Sequence, residues 1–401
     1  MKNFLYAAAF MLILGLVSCS KKISVTNSNM TKPSIQANIQ GLGNDTILVL
    51  YHKILNPADF DESVKDTIVA QNGRFTYDLA IEEPVLLYLM PQKAIITRAD
   101  GRPFWAKEKS IVVLVGYGDK IEITGELYEY YTDYEVKGSE FNEYYTQVRK
   151  SYITAAAEAV KLELELDAQM AGKANGDVIN VLFQKRNDIN KISRLAQLEF
   201  IKNNPEKELS AYYLTLQPLD TIEKYYSALA PDVREGMFQR MLDDKLNTLK
   251  KLRRTEAAEL AVKEGEVAPD FKLGGLYGEF SLNAVKSKYI VLDFWASWCA
   301  PCIKGLARMK EYYWQYQNQA EFIGINCNES EEKWREAVEK HELPWPQVID
   351  TADINESVAI NYGVKAFPTK CILNAGKKIM GRFVGEEEDF YKKLDEVLGN
   401  K

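Results

Sequence analysis

The chain has 401 residues, a formal net charge of −7 and two histidines, His52 and His341. That length suits two or three domains, while an acidic balance without a basic stripe argues against a nucleic-acid partner. With so few histidines, a His-based catalytic triad and a histidine-rich metal site are excluded, and neither a metal site nor a cofactor is expected.

At the N-terminus, Lys2 precedes an apolar run from Phe4 to Val17. This run is too short to span a bilayer comfortably but has the length of a signal peptide. It ends at Leu16-Val17-Ser18-Cys19, which resembles the lipobox of bacterial lipoproteins. The resemblance implies a signal peptide over 1–18, lipidation at Cys19 and a polar tether over 19–33. The protein is then expected in the cell envelope, facing the periplasm and held to the inner or outer membrane by its lipid. An ordinary secretory signal with an incidental cysteine, or an uncleaved anchor, is the competing reading.

Residues 34–135 read as strands: Thr46 to Tyr51, Gly73 to Tyr77, Val85 to Met90, Ile111 to Val115 and Lys120 to Thr124. Turn residues such as Gly43-Asn44-Asp45, Asn72-Gly73 and Gly118-Asp119 separate them. Short strands punctuated in this way predict a β-sandwich-like domain. The tyrosines at 128, 130, 131 and 134 belong to its core or rim.

Over 138–263 the apolar spacing becomes helical. Phe141, Tyr144, Tyr145, Val148 and Tyr152 recur at intervals of three and four, as do Ile189, Ile192, Leu195, Ala196 and Ile201. Ser210 is expected to cap a helix through Leu216, and Thr221 another before Pro231. The basic run Lys250 to Arg254 reads as a solvated helix face.

Residues 264–401 read as a small α/β domain, so the chain as a whole is expected to be multidomain α+β. Strand Tyr289 to Phe294 runs into Trp298-Cys299-Ala300-Pro301-Cys302, and the residues beyond predict a helix to Tyr316. Five cysteines occur, at 19, 299, 302, 327 and 371. A disulfide-stapled exported domain would carry more, so the single close pair reads as working chemistry. At a helix N-terminus, unpaired N–H groups and the macrodipole favour a thiolate, which thiol–disulfide exchange needs. Half of a zinc site is the alternative for a lone Cys-x-x-Cys. Cys327 and Cys371 fall in expected strands, where a free cysteine behaves as a small hydrophobe; a second redox pair between them is the alternative.

Four features in order extend this reading: Ala268-Pro269-Asp270-Phe271, the Phe294 to Cys302 signature, the helix-containing segment from Asn326 to Asp350, and Gly363 to Thr369 with its proline. Together they resemble the TlpA/ResA-like branch of exported thiol–disulfide oxidoreductases, which have a thioredoxin-like fold. The resemblance covers about a third of the chain.

What it implies is specific. Cys299, with an exposed sulfur, would attack a substrate disulfide, and the more buried Cys302 would resolve the mixed disulfide, leaving the pair as a redox disulfide. Asp293 would accept the Cys302 proton. Pro368 would be cis and face the cysteines, with Phe367 and Trp298 beside the substrate; Trp298 would also shield the sulfurs. Protein thiols and disulfides are the implied substrates, and a membrane electron donor the source of reducing power. Many members carry a Glu three residues after the second cysteine and a Pro two further on; here those places hold Gly305 and Ala307, which weakens any role that relies on that Glu. The Ala300-Pro301 dipeptide lacks the His of strong oxidants. That leans the pair toward a reductant, nearer about −270 mV than about −120 mV.

Two other readings stand beside this one. A peroxide-reducing redoxin shares the Pro269-Asp270-Phe271 opening, although Trp298 and Ser297 do not form the Thr-x-x-Cys motif of peroxiredoxins. A redox-inert binding or scaffold lipoprotein would use the β and helical parts instead.

Overall fold

The computed structural model describes residues 32–55, 65–351 and 357–399. Cys19, the expected signal peptide and all but the last two residues of the expected tether lie outside the described residues. Two compact units emerge, one built from 32–53, 65–147 and 163–174, the other from 54–55, 148–162 and the described residues from 175 onward. Among the described residues no helix is long and apolar enough to cross a membrane.

The first unit is mainly β. Its strands are β1 Ser34–Gln40, β2 Thr46–Lys53, β3 Asp66–Val69, β4 Arg74–Asp78, β5 Val85–Pro91, β6 Ile95–Thr97, β7 Pro103–Trp105, β8 Ile111–Val115, β9 Lys120–Leu127 and β10 Thr132–Lys137. They form two four-stranded sheets, ordered β10-β9-β1-β4 and β3-β2-β5-β8, with β6 and β7 paired apart. Strict alternation makes the inner faces: Ile35, Ala37 and Ile39 of β1 and Ile121 and Ile123 of β9 meet Val49, Leu87, Leu89 and Val113 in one core. Strand β5 is buried on both sides, because Met90 packs with Leu50 and Ala94 on its other face. The tyrosines divide. Tyr134 is buried and its hydroxyl accepts from the Val112 N–H at 2.9 Å, whereas Tyr128 and Tyr131 stack at the hairpin tip, Tyr128 exposed.

Helices follow: α1 Glu140–Lys150, α2 Ile153–Ala171, α3 Gly176–Asn203, α4 Glu208–Thr215, α5 Leu219–Tyr226, α6 Pro231–Arg234 and α7 Gln239–Ala261. Three details differ from the expected ones. Ser210 is not a cap: α4 begins after Lys207, and the buried Ser210 hydroxyl donates to the Asn204 carbonyl at 2.6 Å. Thr221 lies inside the first turn of α5, which begins after Pro218, whose ring presets the entry. The apolar stripe on α3 is only partly used, since Leu182, Phe200 and Ile201 are buried while Ile192 and Leu195 are exposed.

The remaining elements are β11 Lys272–Gly275, β12 Gly278–Ser281, β13 Tyr289–Trp295, α8 Ala300–Tyr316, β14 Ala320–Cys327, α9 Glu331–Lys340, β15 Gln347–Asp350, α10 Val358–Asn361, β16 Thr369–Asn374, β17 Ile379–Val384 and α11 Glu388–Leu398. Their seven strands make one sheet in the order β12-β11-β15-β14-β13-β16-β17. Central β13 lies parallel to β14 and antiparallel to β16, and both of its faces are covered. Ile290, Leu292 and Phe294 join a core with Phe271, Ile325 and Tyr362. Val291 joins another with Leu306 and Met309 of α8 and Phe390 and Leu394 of α11. A strand covered on both sides reads as a continuous apolar run, as this one does.

Helix α7 anchors the turn that carries Pro368. Arg254 reaches Asn361 at 2.9 Å, and Glu259 pairs with Lys365 at 2.5 Å. Gly363, at φ +64°, sits so close to α7 that an added Cβ would lie 2.5 Å from the Glu259 backbone. Gly363→Ala would therefore be strained in backbone and in space. It should lower unfolding stability by about 1–3 kcal/mol, read from urea or thermal denaturation; an unchanged midpoint would mean that the contact yields freely.

Candidate active site

Strand β13 ends at Trp295, and after one short turn Cys299 becomes the N-cap of α8. The structure holds Cys299 and Cys302 as a disulfide, the only one among the described residues, with Cα atoms 5.3 Å apart. The Cys302 backbone N–H donates to Cys299 Sγ at 3.2 Å. One of the unpaired donors of the helix start thus points at the first sulfur. Pro301, in the first turn, needs no partner for the N–H it lacks.

The expected difference in burial between the two cysteines is absent: Cys299 is 5% exposed and Cys302 4%. Both sulfurs pack in one apolar cluster with Trp295, Ala296, Trp334 and Ile349. Trp298 is instead exposed, at 60%. Its ring meets Phe367 edge-on with centroids 5.7 Å apart. Phe367 also packs against the cysteine cluster, and the Phe367–Pro368 bond is cis. Trp298, Phe367 and Pro368 are therefore brought together beside the disulfide.

Sequence reasoning missed a clamp on this turn. Glu329, just after β14, accepts from the Ser297 N–H at 2.7 Å and from the Ser297 hydroxyl, and also from the Asn326 side chain. A carboxylate accepting backbone and hydroxyl hydrogens in this way fixes the loop preceding Cys299. The signal available in sequence was only a Glu among other charged residues in Asn328-Glu329-Ser330-Glu331.

Asp293 sits inside β13 rather than at its end. Alternation places it between Val291, which packs on α8 and α11 residues, and Trp295, which packs on the cysteines. It is 5% exposed, and burial pushes its carboxyl above the ordinary range against the opposing pull of Lys370. Lys370, its register partner on β16, places Nζ 3.5 Å from Asp293 Oδ1. This lysine was the second charged side chain of the site not foreseen. A cation in a strand buried from Thr369 to Leu373 was its signal.

Against known proteins, residues 265–381 match the AhpC/TSA family and residues 34–145 match a domain of unknown function, DUF4369. Thioredoxin-like protein YneN of Bacillus subtilis is 33% identical over 143 residues, 34% of this chain and 82% of that protein. Thiol-disulfide oxidoreductase ResA of Geobacillus thermodenitrificans is 33% identical over 141 residues, 34% of this chain and 79% of that one. The chain belongs to the ResA-like thiol-disulfide oxidoreductases. It is accordingly an oxidoreductase with a thioredoxin-like domain at its C-terminal end. Among solved structures, a thiol-disulfide oxidoreductase from Bacteroides fragilis is 31% identical, covering 33% of this chain and 100% of its own, with a TM-score of 0.31.

Cys327 and Cys371 are free and buried. Burial pushes the Cys371 thiol up to about 12 and the Cys327 thiol well above the ordinary value. Iodoacetamide at pH 8 should therefore leave both unmodified in the native reduced protein and label both in denaturant, as peptide mapping would show. Native labelling at either position would contradict their burial.

Proposed function

We propose that this chain reduces protein disulfides in the cell envelope through Cys299 and Cys302. The observation that carries the reading is the Cys299–Cys302 disulfide at the start of α8, with a backbone N–H on Cys299 Sγ. In the reduced enzyme the same N–H and the helix macrodipole stabilise a Cys299 thiolate. That thiolate attacks one sulfur of a substrate disulfide, the other leaves as a thiolate, and a mixed disulfide forms. Cys302 then gives its proton to Asp293 and attacks Cys299 Sγ. The second substrate sulfur departs as a thiolate and takes a proton from solvent, and Asp293 returns its proton to solvent. The substrate has gained two electrons, the dithiol has lost two, and a donor at the membrane restores the pair.

The cis Pro368 and Phe367 would receive an extended substrate segment as a short added strand, with Trp298 covering it. Lipidation at Cys19 would keep the enzyme at the membrane surface, near its electron donor. The short apolar run ending at Cys19 supports this localisation. The β-rich and helical parts would act as spacer or docking elements.

Insulin-disulfide reduction should vanish in Cys299→Ser, while Cys302→Ser should accumulate a mixed disulfide with substrate, visible on non-reducing gels. Full activity in both variants would make the pair structural.

Asp293→Asn should slow resolution of the mixed disulfide about 10²-fold, the lower end of general-base assistance, and leave the first attack nearly unchanged. The loss should shrink as pH rises and hydroxide replaces the carboxylate. Stopped-flow tryptophan fluorescence, reporting through Trp298, separates the two steps; a resolution rate within about twofold of wild type, far below that assistance, would leave Asp293 with packing alone.

A further inference from the structure

Asp293 is one end of a chain of charged groups whose other members the steps above do not use. The Lys370 ammonium, on a side chain only 3% exposed, is shared by two carboxylates: 3.5 Å from Asp293 Oδ1 and 2.7 Å from Glu386 Oε2. The longer contact is weak for a hydrogen bond and the shorter is ordinary, so the cation leans toward Glu386. The Tyr391 hydroxyl donates to the other Glu386 oxygen. Asp293 is sealed, whereas the Glu386 side chain is 21% exposed.

Room for Glu386 exists for one reason. A Cβ added at Gly305, on α8, would fall 2.3 to 2.7 Å from the three carboxyl atoms of Glu386. Any larger residue there would displace the carboxylate. The bare position one turn after Cys302 is therefore the receptacle for an acid supplied by the segment between β17 and α11.

We propose that Lys370 and Glu386 set the proton on Asp293 from opposite sides, with Gly305 left bare to admit the Glu386 carboxylate. Both are positioning residues acting through Asp293, and their importance to turnover rests on the reading of Asp293 as proton acceptor for Cys302. The titratable and charged groups facing Asp293 are Lys370 of β16, Glu386 of the β17–α11 segment, Tyr391 of α11 and Cys327 of β14. Only Lys370 is cationic. Without it, the Asp293 carboxylate would stand in a dry interior facing a second negative charge, so its proton would be held to higher pH. Without the charge on Glu386, Lys370 would be free to turn wholly to Asp293, and the proton would leave at lower pH. A purely structural role gives no reason for opposite signs. Burial pushing Asp293 up, Lys370 pulling it down and Glu386 pushing it up agree with this arrangement.

The test is direct titration of Asp293 in the oxidised full-length protein, where the cysteine pair cannot titrate. Carboxyl-labelled aspartate gives a carbon resonance for Asp293, assigned by its loss in Asp293→Asn. Glu386→Gln should lower its midpoint by about one pH unit and Lys370→Met should raise it by about one, the effect of one close charge. Gly305→Ala, by expelling the Glu386 carboxylate, should shift the midpoint in the same direction as Glu386→Gln. An unmoved midpoint, or shifts of one sign in Glu386→Gln and Lys370→Met, overturns the proposal. If Lys370→Met does not fold, Glu386→Gln and Gly305→Ala decide: a fall in both supports it and no change in either overturns it. The pH profile of mixed-disulfide resolution, measured in the same variants, keeps the two ideas apart. A shifted midpoint with an unshifted profile removes Asp293 from the reaction and leaves the control of its proton standing.

Discussion

Strand β13 is buried on both faces and ends one turn from a helix start, and most of the site follows from that constraint. Ile290, Leu292 and Phe294 fill one core, while Val291 and Trp295 point to the other face and join two further clusters. Sliding by one position would exchange every side chain between the two faces. The end of the strand is therefore fixed, and so is the point from which Cys299 is presented. The same burial means that an ionised acid at 293 calls for an answering charge. Lys370 supplies it from the adjacent strand and is itself paired with Glu386. The apolar continuity of β13 thus fixes where α8 starts, and its one buried acid is answered by charges from β16 and the β17–α11 segment.

The reach of the redox domain is wider than its family match. Residues 265–381 carry the match, but the turn leading to Pro368 is held from outside it, by Arg254 and Glu259 of α7. Val262, also earlier in the chain, joins the core beneath β13. A cut at residue 264 would sever these contacts. The end of α7 is best regarded as part of the domain's own structure.

Much of the C-terminal part was legible in sequence because its signals are local. A continuous apolar strand, Trp-Cys-x-x-Cys, a helix start and a Phe-Pro dipeptide each speak through a few neighbouring residues. What escaped was set by tertiary packing. Ser210 and Thr221 looked like caps, yet both lie inside helices, one because its hydroxyl found Asn204 and the other because Pro218 opened the helix earlier. Ile192 and Leu195 follow a helical stripe that nothing in their own unit fully covers. Glu386 stands in Glu386-Glu387-Glu388, a run that reads as a solvated helix entrance; only the space above Gly305 shows that its first member turns inward. Cys299 was expected at the surface, and its burial comes from packing with Trp295, Ala296 and Trp334, which are separate signals in the sequence.

The two sealed thiols on β14 and β16 have a consequence for electron counting. Cys327 and Cys371 are separate, buried and strongly biased against the thiolate. Among the described residues, then, the chain stores a single pair of reducing equivalents. Those residues hold no second couple that could refill Cys299 and Cys302, as a two-centre reductase would. If the chain works as the proposed reductase, each encounter with a disulfide would spend its whole store, and a separate donor would have to restore the pair before the next. Its steady-state rate would then be tied to two alternating encounters, with substrate and donor competing for the same sulfur.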